Sequence, residues 1–190
     1  MTTPTIGVLA LQGDFERHAR ALGELGAEVT LARTAAEVRA ASHLALPGGE
    51  STTMLLGLEQ EPDLEAAIRE HHAAGRPILA TCAGVILIAR EVRSPAQRSL
   101  GLLDVTVERN AYGRQVASFA ETLKCPTLGA QPLEAVFIRA PVIRAVGPGV
   151  EVLASRETPV LVRAGHVIAA TFHPELTADR RVHAAFLGDS

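Results

Sequence analysis

Apolar and polar positions follow two alternating periods along the first half of the chain. Residues 5–11, TIGVLAL, form an apolar run with β-branched side chains, as in a strand buried on both faces. Over residues 14–27, Phe15, Ala19, Leu22 and Leu25 fall at helical spacing, with Gly26 as a stop. Residues 28–32 predict a second strand. Residues 34–41 predict a short helix capped by Thr34. Residues 43–47 predict a third strand, which runs into Gly48 and Gly49. Helical segments follow from Thr52 and over 63–74, and PILAT (77–81) predicts a fourth strand. Within the stretch 77–90 that strand passes straight into a helix, with Thr81-Cys82-Ala83-Gly84 at the turn. This strand–helix rhythm predicts a parallel sheet with helices on both faces.

The second half changes character. In residues 102–110, Leu103, Val105 and Val107 alternate with polar neighbours, as in a half-exposed antiparallel strand. Residues 134–141, 150–155, 158–165 and 166–175 continue as strands. A final helix spans about 177–187, with Val182, Ala185 and Phe186 on one face. No repeat, low-complexity tract or linker interrupts the pattern. The expectation is one α/β domain over residues 1–190, with a mostly parallel central sheet, helices on both faces and an antiparallel segment in the second half.

Composition narrows the function classes. The formal net charge of −3 supplies no basic surface for nucleic acid. The longest nearly apolar run, 77–90, is too short to span a membrane. The opening residues carry no basic n-region, so no signal peptide is expected. Two cysteines, Cys82 and Cys125, stand in different contexts and do not make a disulfide framework, which points to a reducing cytosol.

Cys82 falls at the carboxyl end of a predicted parallel strand, where such sheets bind ligands. A tight strand-to-helix turn projects a nucleophile, and small neighbours make the turn possible. The following helix dipole favours a thiolate. The N–H of Ala83 would face an oxyanion on an attacked carbonyl. The residues alone leave a second reading open, a buried cysteine that fills space. A nucleophile needs a base and an orienting group. Of seven histidines, His18, His71, His72 and His183 lie on predicted helices and are read as solvated, and His43 and His166 open strands. His173 closes the last long strand in ATFHPEL. Glu175 stands two residues on, on the same side of an extended chain, and Pro174 keeps His173 extended. By itself this is also what an ordinary strand end beside a proline looks like. LPGGES (46–51) adds two glycines that permit a sharp turn and offer N–H groups to an anion.

LPGGEST, TCAG and FHPE, in this order, resemble the class I (triad) glutamine amidotransferases. LALQGDFERH, ERNAYGRQ (108–115), VFIRAP (136–141) and TFHPELTADRRVHAAFL narrow the resemblance to the glutaminase subunits of pyridoxal 5′-phosphate synthase, across residues 5–187. Ala80 and Val85 depart from the family's usual glycine and Leu or Met. The resemblance implies a flavodoxin-like fold and hydrolysis of L-glutamine to L-glutamate and ammonia, with no cofactor and no metal. It makes Cys82 the nucleophile, His173 the base and Glu175 its orienting carboxylate. Gly48, Gly49 and Ala83 would form the oxyanion hole. Gly49, Glu50, Ser51, Arg109, Ile138 and Arg139 match positions that hold glutamine. An arginine suits an α-carboxylate because it pairs bidentately, although either arginine can equally be a surface cation. Ammonia would pass to a (β/α)8-barrel synthase in a hetero-oligomer. The aldehyde chemistry there needs a lysine, and this chain has only Lys124, away from the motifs. Gln12, Glu50 and Asn110-Ala111-Tyr112 are the candidate sensors of that partner, and Gly48-Gly49 the candidate switch. A cysteine hydrolase of another class and a catalytically idle subunit are the competing readings; intact Cys82, His173 and Glu175 speak against the second.

Overall fold

The computed structural model describes residues 4–109 and 118–188. The chain forms β1 (Thr5–Leu9), α1 (Phe15–Glu24), β2 (Glu28–Ala32), α2 (Ala35–Ala40), β3 (His43–Leu46), α3 (Ser51–Gln60), α4 (Leu64–Ala73), β4 (Ile78–Thr81) and α5 (Ala83–Ile88). There follow β5 (Ala89–Arg93), β6 (Leu103–Glu108), β7 (Ser118–Leu123), β8 (Leu133–Ile138), β9 (Val142–Val146), β10 (Glu151–Ser155), β11 (Pro159–Ala164), β12 (Val167–Ala170) and α6 (Arg181–Leu187).

The central sheet has the order β10-β11-β12-β4-β3-β1-β2. Its run from β12 to β2 is parallel, the flavodoxin-like doubly wound order. β10 and β11 extend it antiparallel. A period of two sorts the side chains between two cores. Leu44, Leu46, Ile78 and Ala80 face α2 to α5 and the small sheet β5-β6-β9. Ile6, Val8, Ala45 and Leu79 face α1, α6 and the β7–β8 hairpin. Helices thus cover both faces, as the alternation predicts. Thr34 caps α2 in a capping box with Glu37, and Glu50 caps α3 through Thr52 N at 3.2 Å and Thr53 N at 2.8 Å.

Several expectations change. β1 ends at Leu9, and α5 stops at Ile88, where Ala89 turns extended to begin β5. β6 pairs parallel to β5 and antiparallel to β9, and Val105, Thr106 and Val107 are all buried, so it is an interior strand and not a half-exposed one. β5, β7 and β9 are strands the periodicity did not single out. β12 ends at Ala170, a 3₁₀ turn occupies Pro174–Leu176, and α6 begins only at Arg181. His18, His71 and His183 are buried, not solvated. No helix among the described residues is long and apolar enough to cross a membrane.

Candidate active site

Cys82 occupies the turn between β4 and α5 with φ 47° and ψ −106°, a conformation a non-glycine residue holds only when its surroundings dictate it. They do. Cys82 N donates to Ala170 O at 2.9 Å, Val85 N donates to Cys82 O at 3.1 Å, and every residue of α5 is buried. Gly84 is what lets the turn close, since a Cβ there would collide with the carbonyl of Leu46 on β3. Ala83 opens α5, so its N–H has no intrahelical acceptor. The thiol lies 3.9 Å from Ile138 O at the end of β8.

His173 Nδ1 and Glu175 Oε1 are 2.6 Å apart, so Nδ1 carries the proton and Nε2 is left for the thiol. The pair does not lie along a strand as expected. His173 precedes the 3₁₀ turn, and the turn itself brings Glu175 back under the ring. The backbone N–H of His173 donates to Val136 O at 2.8 Å, which ties the base to the β7–β8 hairpin. Both side chains are buried. Burial opposes a charge on His173, but hydrogen bonds to Cys82 and Glu175 outweigh it and raise its pKa to about 10. Burial also disfavours ionised Glu175. The His18 and His173 imidazoles more than offset that and hold its carboxyl far below the usual range.

The glycine loop closes the site from β3. A Cβ on Gly48 would stand 2.5 Å from His173 Cε1 and 3.2 Å from Cys82 Cβ, so only glycine fits beneath the pair. A Cβ on Gly49 would collide with Gln12 Oε1. Two hydrogen bonds fix the loop: Asp14 N to Gly48 O at 3.1 Å and Glu50 N to Gln12 Oε1 at 2.5 Å.

A cleft of about 470 Å³ opens above these groups. Its walls include Cys82, Ala83 and His173, together with Gly49, Glu50, Ser51, Arg109, Ile138 and Arg139. Gly48 and Glu175 lie behind that wall, as support for the histidine. Arg109 is held by Glu50 Oε1 at 3.3 Å and Thr52 Oγ1 at 3.2 Å. Arg139 is exposed, at φ 42°. Ser51 Oγ donates to Gln97 Oε1 at 3.1 Å. Asn110, Ala111 and Tyr112 lie outside the described residues.

Sequence reasoning passed over four residues. Asp14 Oδ2 stands 3.7 Å from His173 Nδ1 at the cleft wall. Asp14, His173 and Glu175 bring ligand atoms within 4.8 Å of one another, but His173 and Glu175 are already bonded to each other, which suits proton transfer better than a cation. Behind Glu175 lie His18, Thr81 and His183. The signal for His18 was its place in α1, three residues from Phe15 and four from Leu22, on the apolar face. His183 likewise sits beside Val182 and three residues before Phe186.

Known proteins resemble the chain over nearly its whole length. The SNO glutamine amidotransferase family matches residues 8–189. The pyridoxal 5′-phosphate synthase subunit PdxT of Kosmotoga olearia is 50% identical over 184 residues, 96% of this chain and 95% of that protein. PdxT of Deinococcus radiodurans is 51% identical over 190 residues, 97% of this chain and 96% of its own. A crystal structure of a glutamine amidotransferase superposes with a TM-score of 0.90 at 47% identity, covering 96% of this chain and 97% of that one. With a family match and relatives at about half identity over nearly the full length, the chain belongs to the SNO glutamine amidotransferase family.

Proposed function

We propose that this chain, acting as one glutaminase domain, hydrolyses L-glutamine through Cys82, His173 and Glu175. In this reading the ammonia goes to a (β/α)8-barrel synthase subunit that builds pyridoxal 5′-phosphate. The single observation that carries the chemistry is the 2.6 Å His173–Glu175 bond behind a cysteine held on a strained elbow. Glutamine amidotransfer itself is the activity of the family to which the chain belongs.

Cys82 Sγ attacks the side-chain carbonyl carbon of glutamine while His173 takes the thiol proton. His173 returns that proton to the amide nitrogen, and ammonia leaves a γ-glutamyl thioester. Water then attacks the thioester, giving one proton to His173, which passes it back to the sulfur as glutamate departs. Glu175 keeps the imidazole in the Nδ1–H form and stabilises its charge. The Ala83 N–H and the Gly48-Gly49 loop receive the oxyanion. Arg109 and Arg139 offer guanidinium groups to the α-carboxylate, Glu50 meets the α-ammonium side, and Ser51 and the Ile138 backbone hold the rest of the substrate.

The loop also supports gating by the partner. Its present arrangement rests on two hydrogen bonds, from Asp14 N–H and to Gln12, worth on the order of 1 kcal/mol each. A bias of about 1.4 kcal/mol changes the competent population tenfold. Gln12 and Glu50 are placed to feel a docking subunit. The low cysteine content fits a cytoplasmic setting for such a complex.

The test is glutamate release by the purified chain alone and with its synthase subunit, joined to labelling by a glutamine-like diazo-ketone. The expected result is slow turnover alone, a marked rise on adding the synthase, and label on Cys82. Equal rates in both conditions reject gating. Label on Cys125, or turnover of peptides in place of free glutamine, rejects the site.

A further inference from the structure

The carboxylate of a Cys-His-Glu triad has two oxygens, and only one reaches the histidine. Glu175 Oε1 binds His173 Nδ1. Oε2 is buried, lies 3.2 Å from His18 Nε2 and has no hydrogen-bond partner among the described residues. His18 is itself wholly buried, on α1, between Thr81 Oγ1 at 3.0 Å from Nε2 and His183 Nε2 at 3.1 Å from Nδ1. Three elements, α1, β4 and α6, therefore converge on the far side of the catalytic carboxylate. Resting on the triad reading above, we propose that His18 is a positioning residue for the glutaminase reaction. Its protonated Nε2 faces Glu175 Oε2 at ion-pair distance and keeps the carboxylate ionised and aimed at His173, while His183 fixes the orientation of the His18 ring.

Two physical arguments select this arrangement. If Nε2 of His18 were bare, its lone pair would face a buried carboxylate oxygen 3.2 Å away with no N–H dipole beside it, a costly state for an ionised group. With Nε2 protonated, its N–H donates to Thr81 Oγ1 at 3.0 Å, the positive end of that dipole stands beside Glu175 Oε2, 3.2 Å from Nε2, and Nδ1 accepts from His183. His183 is held neutral, its pKa pushed down to about 3 by burial and by the neighbouring His18, so it orients without adding charge. Nothing about packing alone requires a histidine on an otherwise apolar helix face. A leucine would fill the same space without ordering Glu175.

The groups facing this relay are Glu175 and His173 from the 3₁₀ turn region, Thr81 from β4, His183 and Arg180 at α6, and Asp14 beside His173. Among these, Glu175 is the group whose ionisation His18 supports. Without the Nε2–H, Glu175 protonates at higher pH, and the acid limb of turnover moves up.

The experiment compares wild type, His18→Leu and His18→Gln in the complex with the synthase. Turnover is followed from pH 5 to 9, and each variant's melting temperature is recorded. Gln is chosen because its amide N–H falls where Nε2–H does. His18→Leu is expected to lose about tenfold to a hundredfold in kcat with KM little changed, and to shift the acid limb upward, while His18→Gln recovers most of both. A lower melting temperature with unchanged kcat and acid limb in His18→Leu overturns the proposal, as does Gln behaving like Leu. Should His18→Leu not fold, nitrogen NMR of histidine-labelled native protein decides: a proton on His18 Nε2 across this range supports the proposal, a bare Nε2 overturns it. Cys82→Ala in the same assay separates the two readings. Residual normal turnover there would remove the triad itself, whereas loss there with an indifferent His18 removes only the relay.

Discussion

Six of the seven histidines gather at the two ends of the central sheet, the seventh, His183, lying behind His18, and His173 and His71 behave oppositely. At the carboxyl ends of the strands, His18 and His173 meet Glu175. At the other end, His43, His71, His72 and His166 gather near the starts of β3, β4 and β12, beside a smaller cleft of about 230 Å³. Among the described residues, no carboxylate or thiol lines that second cleft. Burial pushes the His71 pKa down to about 4, with only Pro77 O, 3.2 Å from Nε2, favouring the charge. Burial lowers His43 and His72 as well. His173 is just as buried yet is raised to about 10, because Cys82 and Glu175 face it. Burial suppresses an imidazolium by default, and only an anionic partner reverses the sign. Chemistry follows the carboxylate, not the histidine count.

The contrast breaks most visibly at the cysteines. Cys82→Ala is expected to lower glutamine turnover by at least about a thousandfold while the fold survives, because the proposed mechanism then has no nucleophile. Cys125→Ala should leave turnover near wild type, since Cys125 is not among the residues lining the cleft and burial raises its thiol pKa. Comparable losses in both would end the asymmetry. Next in size, His173→Asn should cost about a thousandfold and exceed Glu175→Gln, because the base moves protons and the carboxylate only orients it. At the opposite end His71→Asn should leave kcat unchanged. Steady-state kinetics of the three variants checks the ranking. Gly49→Val follows, with a loss of about a hundredfold or more as the new side chain displaces Gln12 and the oxyanion loop. Assembly with the synthase, read by size-exclusion chromatography, should be largely spared.

The smallest effect is on stability, and it carries opposite signs at the two ends. His71 is less basic folded than unfolded, so its contribution is present above pH 6.5 and is lost as pH falls from 6.5 towards about 4. His173 is more basic folded than unfolded, so its contribution is complete below pH 6.5 and is lost as pH rises through about 10. His71→Leu should therefore flatten the acid side of a denaturation midpoint plotted against pH, and His173→Asn the alkaline side. The reverse assignment would contradict the electrostatics of both clusters.

Much of this was written in the sequence. The alternation of strand and helix through residue 81 predicted the parallel sheet, because strands buried on both faces must be apolar throughout. The elbow cysteine and the His-Pro-Glu run were legible because each is local. The losses came where distant segments decide. β5 begins at Ala89 in a run that reads as helix, and it is strand only because β6 pairs with it. His173 and Glu175 meet through a turn, which the assumption of an extended chain does not foresee. Polarity alone predicts solvated side chains for His18, His71 and His183, although their spacing puts them on apolar faces. Their partners lie far away along the chain, as with His18 and His183, 165 residues apart.

That separation bears on how the site comes into being. A chain is made from its amino end, so the Cys82 elbow, its glycine loop and His18 all exist before the strand that brings the base. Until β12 inserts beside β4, Cys82 N lacks the Ala170 carbonyl that holds its turn, and the thiol has neither imidazole nor carboxylate at its back. Contacts of such long range close late in folding, since loop entropy must be overcome first. In the proposed mechanism the nascent protein therefore carries a cysteine without its base until residue 173 has been added, and reactivity arrives with the closing strand of the sheet.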